Sequence, residues 1–147
     1  MAPLRILLTL WFRNTWKWQN DGAASALPCL RLDGTNVIRA EHPTLGSYQF
    51  AFDTPAEVLF TENETNIQRL WGVPNPASFV KDAFHDYVIS GRREAVNAQH
   101  TGTKRPPHFV LMTQPGETRQ LRLRLVSADT APEGLFGKAF DTLFAER

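Results

Sequence analysis

Apolar and polar positions alternate through the first part of the chain in a strand-like way. RILLTLWF (5–12) is an apolar, β-prone run long enough for a buried strand. NDGAASALP (20–28) reads as a loop, and CLRL (29–32) and VIRAEH (37–42) flank Asp33-Gly34, a hairpin signal. After the turn PTLG, SYQFAFD (47–53) places Tyr48, Phe50 and Phe52 on one face; TPAE then leads into VLFTENETN (58–66). Short strands parted by turn residues at about eight to twelve positions predict an antiparallel sheet or sandwich.

The pattern changes in the middle. GVPNPAS (72–78) is a Pro-rich connection, with Ser78 as a candidate cap for a helix after it. In FVKDAFHDYVIS (79–90), Val80, Phe84 and Tyr87 or Val88 fall at helical spacing, and Gly91 stands where the helix would stop. Residues 92–107 form a long polar connection, a kind that in compact domains is usually functional or held by something else. HFVLMTQ (108–114), PGE and TRQLRLRLV (118–126) predict strand, turn, strand, with Leu121, Leu123 and Leu125 on one face and the arginines on a solvated one. At the end, Leu135, Phe136, Ala139, Phe140, Leu143 and Phe144 make a helical apolar stripe. The expected fold is mainly β: an antiparallel sandwich-like domain over residues 1–134 with one or two helices, and an amphipathic linker helix in 135–147.

Composition narrows the function classes. With a net charge of +1 and scattered basic residues, no nucleic-acid surface is expected. Cys29 is the single cysteine, which excludes an internal disulfide and a cysteine metal site; it reads as an apolar filler. MAPLRILLTLWF followed by AASA (23–26) imitates a signal peptide, but Arg13 and Lys17 interrupt it, and the reading preferred is a strand in a cytoplasmic protein. No run reaches the ~18 apolar residues of a membrane span, so no membrane partner is expected.

Five blocks stand in a telling order: LTLWFRNTWKW (8–18), LFTENETNIQRLWG (59–72), VKDAFHDYVISGRREAVN (80–97), GTK (102–104) and RLRL (122–125). With them the chain, from Ile6 to its last residue, resembles the non-catalytic β-rich region of bacterial glucosidase-like proteins of glycoside hydrolase family 63, also described as mannosylglycerate-hydrolase-like. The resemblance implies an N-terminal β-sandwich-like domain joined to a C-terminal (α/α)6 toroid. The toroid would carry an Asp acid and a Glu base and would invert the anomeric centre. It further implies that this chain is an internal piece without the catalytic domain, that its last helix leads toward the toroid, and that it uses no cofactor. The implied partners are carbohydrate or the toroid itself. The chain departs from the family pattern at Arg105-Pro106-Pro107, where small residues are usual.

Three groups of residues are candidates for chemistry. Glu62 and Glu64 stand two apart; on a strand that is ~6.6 Å at ~3.3 Å rise, near the ~6.5–9.5 Å of an inverting glycosidase pair. Such a pair must flank the scissile bond from opposite sides, and two side chains parallel on one strand cannot. A strand-end hydrogen-bond network of Glu62, Asn63, Thr65 and Asn66 is the preferred reading. In WFRNTWKW, Trp11 is expected in the core and Arg13 against Glu62 or Glu64, while Asn14, Trp16 and Trp18 are placed to reach a sugar or a facing domain. Asp82 and Asp86 share a helix face with Lys81 and His85 nearby. Two Asp and one His make a weak metal set, so caps or ion pairs to Arg92, Arg93 or Lys104 are expected and no metal. His42, His100 and His108 show no ligand spacing and read as surface or packing residues. Two other roles are open: a sugar-binding module with Trp16 and Trp18 as its platform, and an interaction piece that docks or self-associates through the apolar face of helix 135–144.

Overall fold

A computed structural model of the chain describes residues 2–14 and 27–147. They form ten strands and three α-helices: β1 (Ala2–Leu7), β2 (Leu10–Trp11), β3 (Cys29–Leu32), β4 (Val37–His42), β5 (Gly46–Phe52), β6 (Glu57–Val58), α1 (Ile67–Trp71), α2 (Ala83–Ser90), β7 (Thr101–Gly102), β8 (Lys104–Arg105), β9 (Pro107–Thr113), β10 (Leu123–Ser127) and α3 (Lys138–Ala145). The fold is mainly β, and every strand pairing is antiparallel. A five-stranded sheet runs β10-β5-β4-β3-β7, a three-stranded sheet runs β1-β9-β6, and β2 pairs with β8 alone.

Register explains the core. Ile38 lies opposite Phe50 and Leu32, and Ala40 opposite Tyr48 and Leu30, so the period-two apolar positions of three strands share one face. Phe109 of β9, Val58 of β6 and Phe60 meet them from the other side, with Ile6 and Leu111 at the margin. Phe52 and Phe109 touch edge to face, with ring centroids 5.9 Å apart. Two sheets thus bury their apolar faces against each other, the sandwich-like arrangement that the alternation predicted. Arg31, Arg39 and Glu41 occupy the opposite parity, where Arg31 pairs with Glu41 at 2.8 Å and Arg39 with Asp33 at 3.0 Å.

A second, smaller cluster joins Leu59, Phe84 and Tyr87, with Leu7, Val88 and Val96 packed against it. This is where α2 docks, through Ala83, Phe84 and Tyr87. The helix ends as its sequence predicted: Gly91 takes φ +67°, a left-handed value that favours a residue without Cβ, and its N–H bonds the Asp86 carbonyl. Its start does not follow the prediction, since Asp82 and not Ser78 takes the N-terminal cap position.

Several expectations give way to long-range pairing. The run 5–12 is not one strand: β1 pairs with β9, and β2 crosses to β8. Trp11, expected in the core, is 52% exposed, because β2 points Leu10 and Phe12 toward the core and leaves Trp11 outside. Both strands expected in 108–126 form, β10 starting later than expected, and they do not pair with each other; β9 lies between β1 and β6 while β10 pairs with β5 in the other sheet. The stretch 58–66 continues as strand only to Val58, makes one further bridge at Thr61, and turns into α1, which the apolar pattern did not show. The connection 92–107 is held by other segments, as its length suggested: Gly102, Thr103 and Arg105 are buried within it. Instead of a plain solvated face, Arg122 bonds Asp53 at 2.6 Å and Asp141 at 2.7 Å, and Arg124 bonds the Leu135 carbonyl at 3.1 Å. These bonds tie α3 to β10. Helix α3 itself buries no residue, and its Phe144 is 73% exposed. Among the described residues, no helix is long and apolar enough to cross a membrane.

Candidate functional site

The residues singled out by the sequence converge on one junction. Thr61 and Lys104 exchange two backbone hydrogen bonds of 2.9 Å each, and Phe12 N–H bonds the Thr103 carbonyl at 3.0 Å. Asn97 N–H bonds the Phe60 carbonyl at 2.9 Å. The blocks around 8–14, 59–66, 80–97 and 102–104 are therefore parts of one structure, though they lie far apart in sequence.

Within it, Glu62 and Glu64 serve different neighbours. The Glu62 N–H bonds the Phe79 carbonyl at 2.8 Å, and its Oε2 accepts the Thr103 hydroxyl at 2.7 Å. That hydroxyl also accepts the Asn63 N–H at 2.8 Å, while Asn63 Nδ2 donates to the Phe12 carbonyl at 2.9 Å. The Glu64 carbonyl accepts the Lys81 N–H at 2.9 Å, and its Oε1 accepts Asn14 Nδ2 at 2.7 Å. Each carboxylate thus bonds a different segment, Glu62 the Thr103 hydroxyl and Glu64 the Asn14 amide.

Asn66 extends the network. Its Oδ1 accepts the Arg69 N–H at 3.0 Å, the side-chain cap of α1, and its Nδ2 donates to Asp82 at 3.1 Å. Arg69 then bridges Asp82 at 2.6 Å and Asp86 at 3.0 Å, and Arg92 pairs with Asp86 too. Arg69 was not among the expected partners, because only the α1 turn brings it across from α2. Arg92 was. His85 is exposed and joins none of these contacts, and no group of three or more His, Cys, Asp or Glu among the described residues could hold a metal ion. Arg13 is exposed beside Asn14; Trp16 and Trp18 lie outside the described residues.

One face of this junction opens as a groove of about 320 Å³ lined by Asn14, Asn63, Glu64, Thr65, Ile67, Pro76 and Lys81. Glu64 is 9% exposed at its floor. Lys81 Nζ donates to the Thr65 hydroxyl at 3.0 Å. The Asn14 Oδ1 is buried, and no donor among the described residues reaches it. An amide oxygen in want of a donor, a buried carboxylate and an ammonium group together suit hydroxyl groups, which both donate and accept.

Next to Lys104, in β8, lies a feature the sequence only hinted at. Arg105 is fully buried, its guanidinium 4.0 Å above the Phe60 ring, with no acceptor among the described residues for any of its side-chain nitrogens. Burial pushes it well below its ordinary value, down to about 9. The departure at Arg105-Pro106-Pro107 was the one signal available in the sequence. The half-buried Cys29 thiol is raised above its ordinary value, first by burial and then by Glu41.

Comparison with known proteins gives one relative. Over 128 aligned residues the chain is 32% identical to an uncharacterized protein of Saccharomyces cerevisiae, with 70% of this chain and 12% of that protein aligned. The chain thus spans about an eighth of the relative's length, 12% of it. No family model matches the chain, and no solved structure matches it.

Proposed function

We propose that the chain is the accessory β-rich portion of a glycosidase of the family 63 type, of the bacterial glucosidase-like kind, with catalysis carried by a separate toroidal domain. The observation that carries this reading is the use made of Glu62 and Glu64. Both are tied by hydrogen bonds into the scaffold that joins the blocks on which the resemblance rests, each to a different segment. The Asn14–Glu64–Lys81 groove is then the place where the domain meets a sugar hydroxyl or the facing catalytic domain. The exposed Leu143 and Phe144 of α3 are the natural continuation toward that domain.

The reading is tested on two proteins. The 147-residue chain should release no sugar from α-glucosides, whereas the full-length yeast relative should hydrolyse one and give the β anomer first by proton NMR. Turnover by the short chain that Glu62→Gln or Glu64→Gln abolishes would overturn it. So would a full-length relative that leaves α-glucosides intact.

A further inference from the structure

On the side of the domain where Glu57 of β6 faces His108 of β9, a second opening of about 560 Å³ lies between the β3–β4 turn, β6 and the connection from α2 to β7. That is within the range of small-molecule sites. Most of its wall is apolar, from Leu32, Pro55, Val58 and Val96. One corner is polar. The Tyr87 hydroxyl donates to Glu57 Oε1, and Arg93 Nη1 donates to the Tyr87 oxygen at 3.2 Å and reaches the same Oε1 at 3.5 Å. Both bonds that reach Glu57 fall on one carboxylate oxygen, Oε1.

The other oxygen is different. Glu57 Oε2 faces His108 Nδ1 at 3.6 Å, too far for a hydrogen bond. The tautomer follows from Arg5, whose Nη1 stands 3.2 Å from His108 Nε2. A guanidinium only donates, so Nε2 accepts and the ring proton sits on Nδ1, aimed at Glu57. His108 is 4% exposed, and its Nδ1 has no partner among the described residues. Glu57 Oε2 therefore takes no hydrogen bond from His108. Beside it, Arg93 uses only Nη1 in the bonds above, and its side chain is 82% exposed. The corner therefore offers a carboxylate acceptor and guanidinium donors side by side above an apolar floor. At the rim, His100 holds φ +57°, a left-handed value that a residue with a Cβ seldom adopts.

We propose that this cavity is a binding site for a neutral polyhydroxylated ring of pyranose size. One hydroxyl of a vicinal pair donates to Glu57 Oε2 and the oxygen of its neighbour accepts from Arg93, while the C–H face of the ring lies on Leu32, Pro55 and Val96. An anion is disfavoured by Glu57 and a cation by Arg93. The site is separate from the Asn14–Glu64 groove, shares no residue with it, and does not depend on the glycosidase reading.

The test uses the uniformly 15N-labelled chain, titrated into the millimolar range with methyl α-D-glucopyranoside and, separately, methyl α-D-mannopyranoside. Saturable shifts are expected at the amides of Asn36, Glu57, Tyr87 and Arg93 with at least one of them, weakened tenfold or more by Glu57→Gln and by Arg93→Ala. Both side chains lie at the surface, so an unchanged spectrum of the unliganded variants confirms the fold. Shifts confined to Asn14, Glu64 and Lys81 would overturn this site while supporting the groove. No shifts with either glycoside, or affinity untouched by both variants, would overturn it as well.

Discussion

Gly102 stands so close to Thr61 that a Cβ on it would lie 2.5 Å from the Thr61 carbonyl oxygen. The contact is backbone against backbone, so no side chain can swing away to relieve it. It sits beside the bridge between Thr61 and Lys104 and thereby holds the TENETN segment against β7 and β8. A glycine in GTK and the threonine that opens TENETN are thus one packing decision.

Gly102→Ala should therefore cost about 1–3 kcal/mol or more, the scale of overpacking a closed core. Gly134→Ala is the control, because a Cβ there meets nothing nearer than 3.5 Å and no left-handed φ is needed. Urea unfolding of the two variants decides it; equal midpoints would show that the backbone contact is loose.

Arg105 carries a charge that no acceptor among the described residues balances. Replacing a buried charge with an apolar side chain of similar reach is often stabilising, so Arg105→Met should raise the denaturation midpoint while Arg105→Ala, which leaves a cavity over Phe60, should lower it. The folded-state value is depressed to about 9 from its ordinary higher one, so the destabilisation is fully present below pH 9 and fades as pH rises through it. The advantage of the Met variant should narrow above pH 9. A Met variant less stable than the parent at pH 7 would mean that the guanidinium is satisfied after all.

At Asp53, burial works to raise the carboxyl, and the hydrogen bonds from Arg122 outweigh it and hold it below its ordinary 3.8. A depressed carboxyl stabilises the fold above its unfolded value and loses that contribution as pH falls through the folded one. Asp53→Asn should flatten the decline in stability below pH 3.8 relative to the parent. Because Arg122 also binds Asp141, the same variant should loosen α3, which is measurable as faster amide exchange over Lys138–Ala145. Unchanged exchange there would show that α3 is held by other contacts.

Phe84 anchors α2 in the cluster with Leu59 and Tyr87. Phe84→Ala should cost about 3–5 kcal/mol, the usual result of emptying an aromatic from a packed core. Phe144→Ala, at a position 73% exposed, should change stability little. Thermal unfolding of the pair checks both.

Local signals were legible where they depend on near neighbours. The alternation of Tyr48, Phe50 and Phe52, the Asp33-Gly34 turn, the α2 stripe and the Gly91 stop all follow from side-chain period and backbone freedom within a few residues. The polar character of TENETN was also legible as a hydrogen-bonding segment rather than an acid/base pair. The apolar pattern could not say that it turns into α1, because a five-residue helix has little periodicity of its own and is held by Asn66, Arg69 and Asp82.

The sequence by itself determined the mainly β class and the parity that puts one set of side chains inside. Which strand pairs with which was decided only in three dimensions. β9 and β10 have a turn between them and the right alternation, and yet each finds its partner more than fifty residues away, β9 in β1 and β10 in β5. Alternation specifies a face but not a neighbour, and many registers bury the same face equally well. The same limit applies to the sites. Glu57, Tyr87 and Arg93 carry no common spacing, and only the packing of α2 on the β1-β9-β6 sheet brings them to one cavity corner.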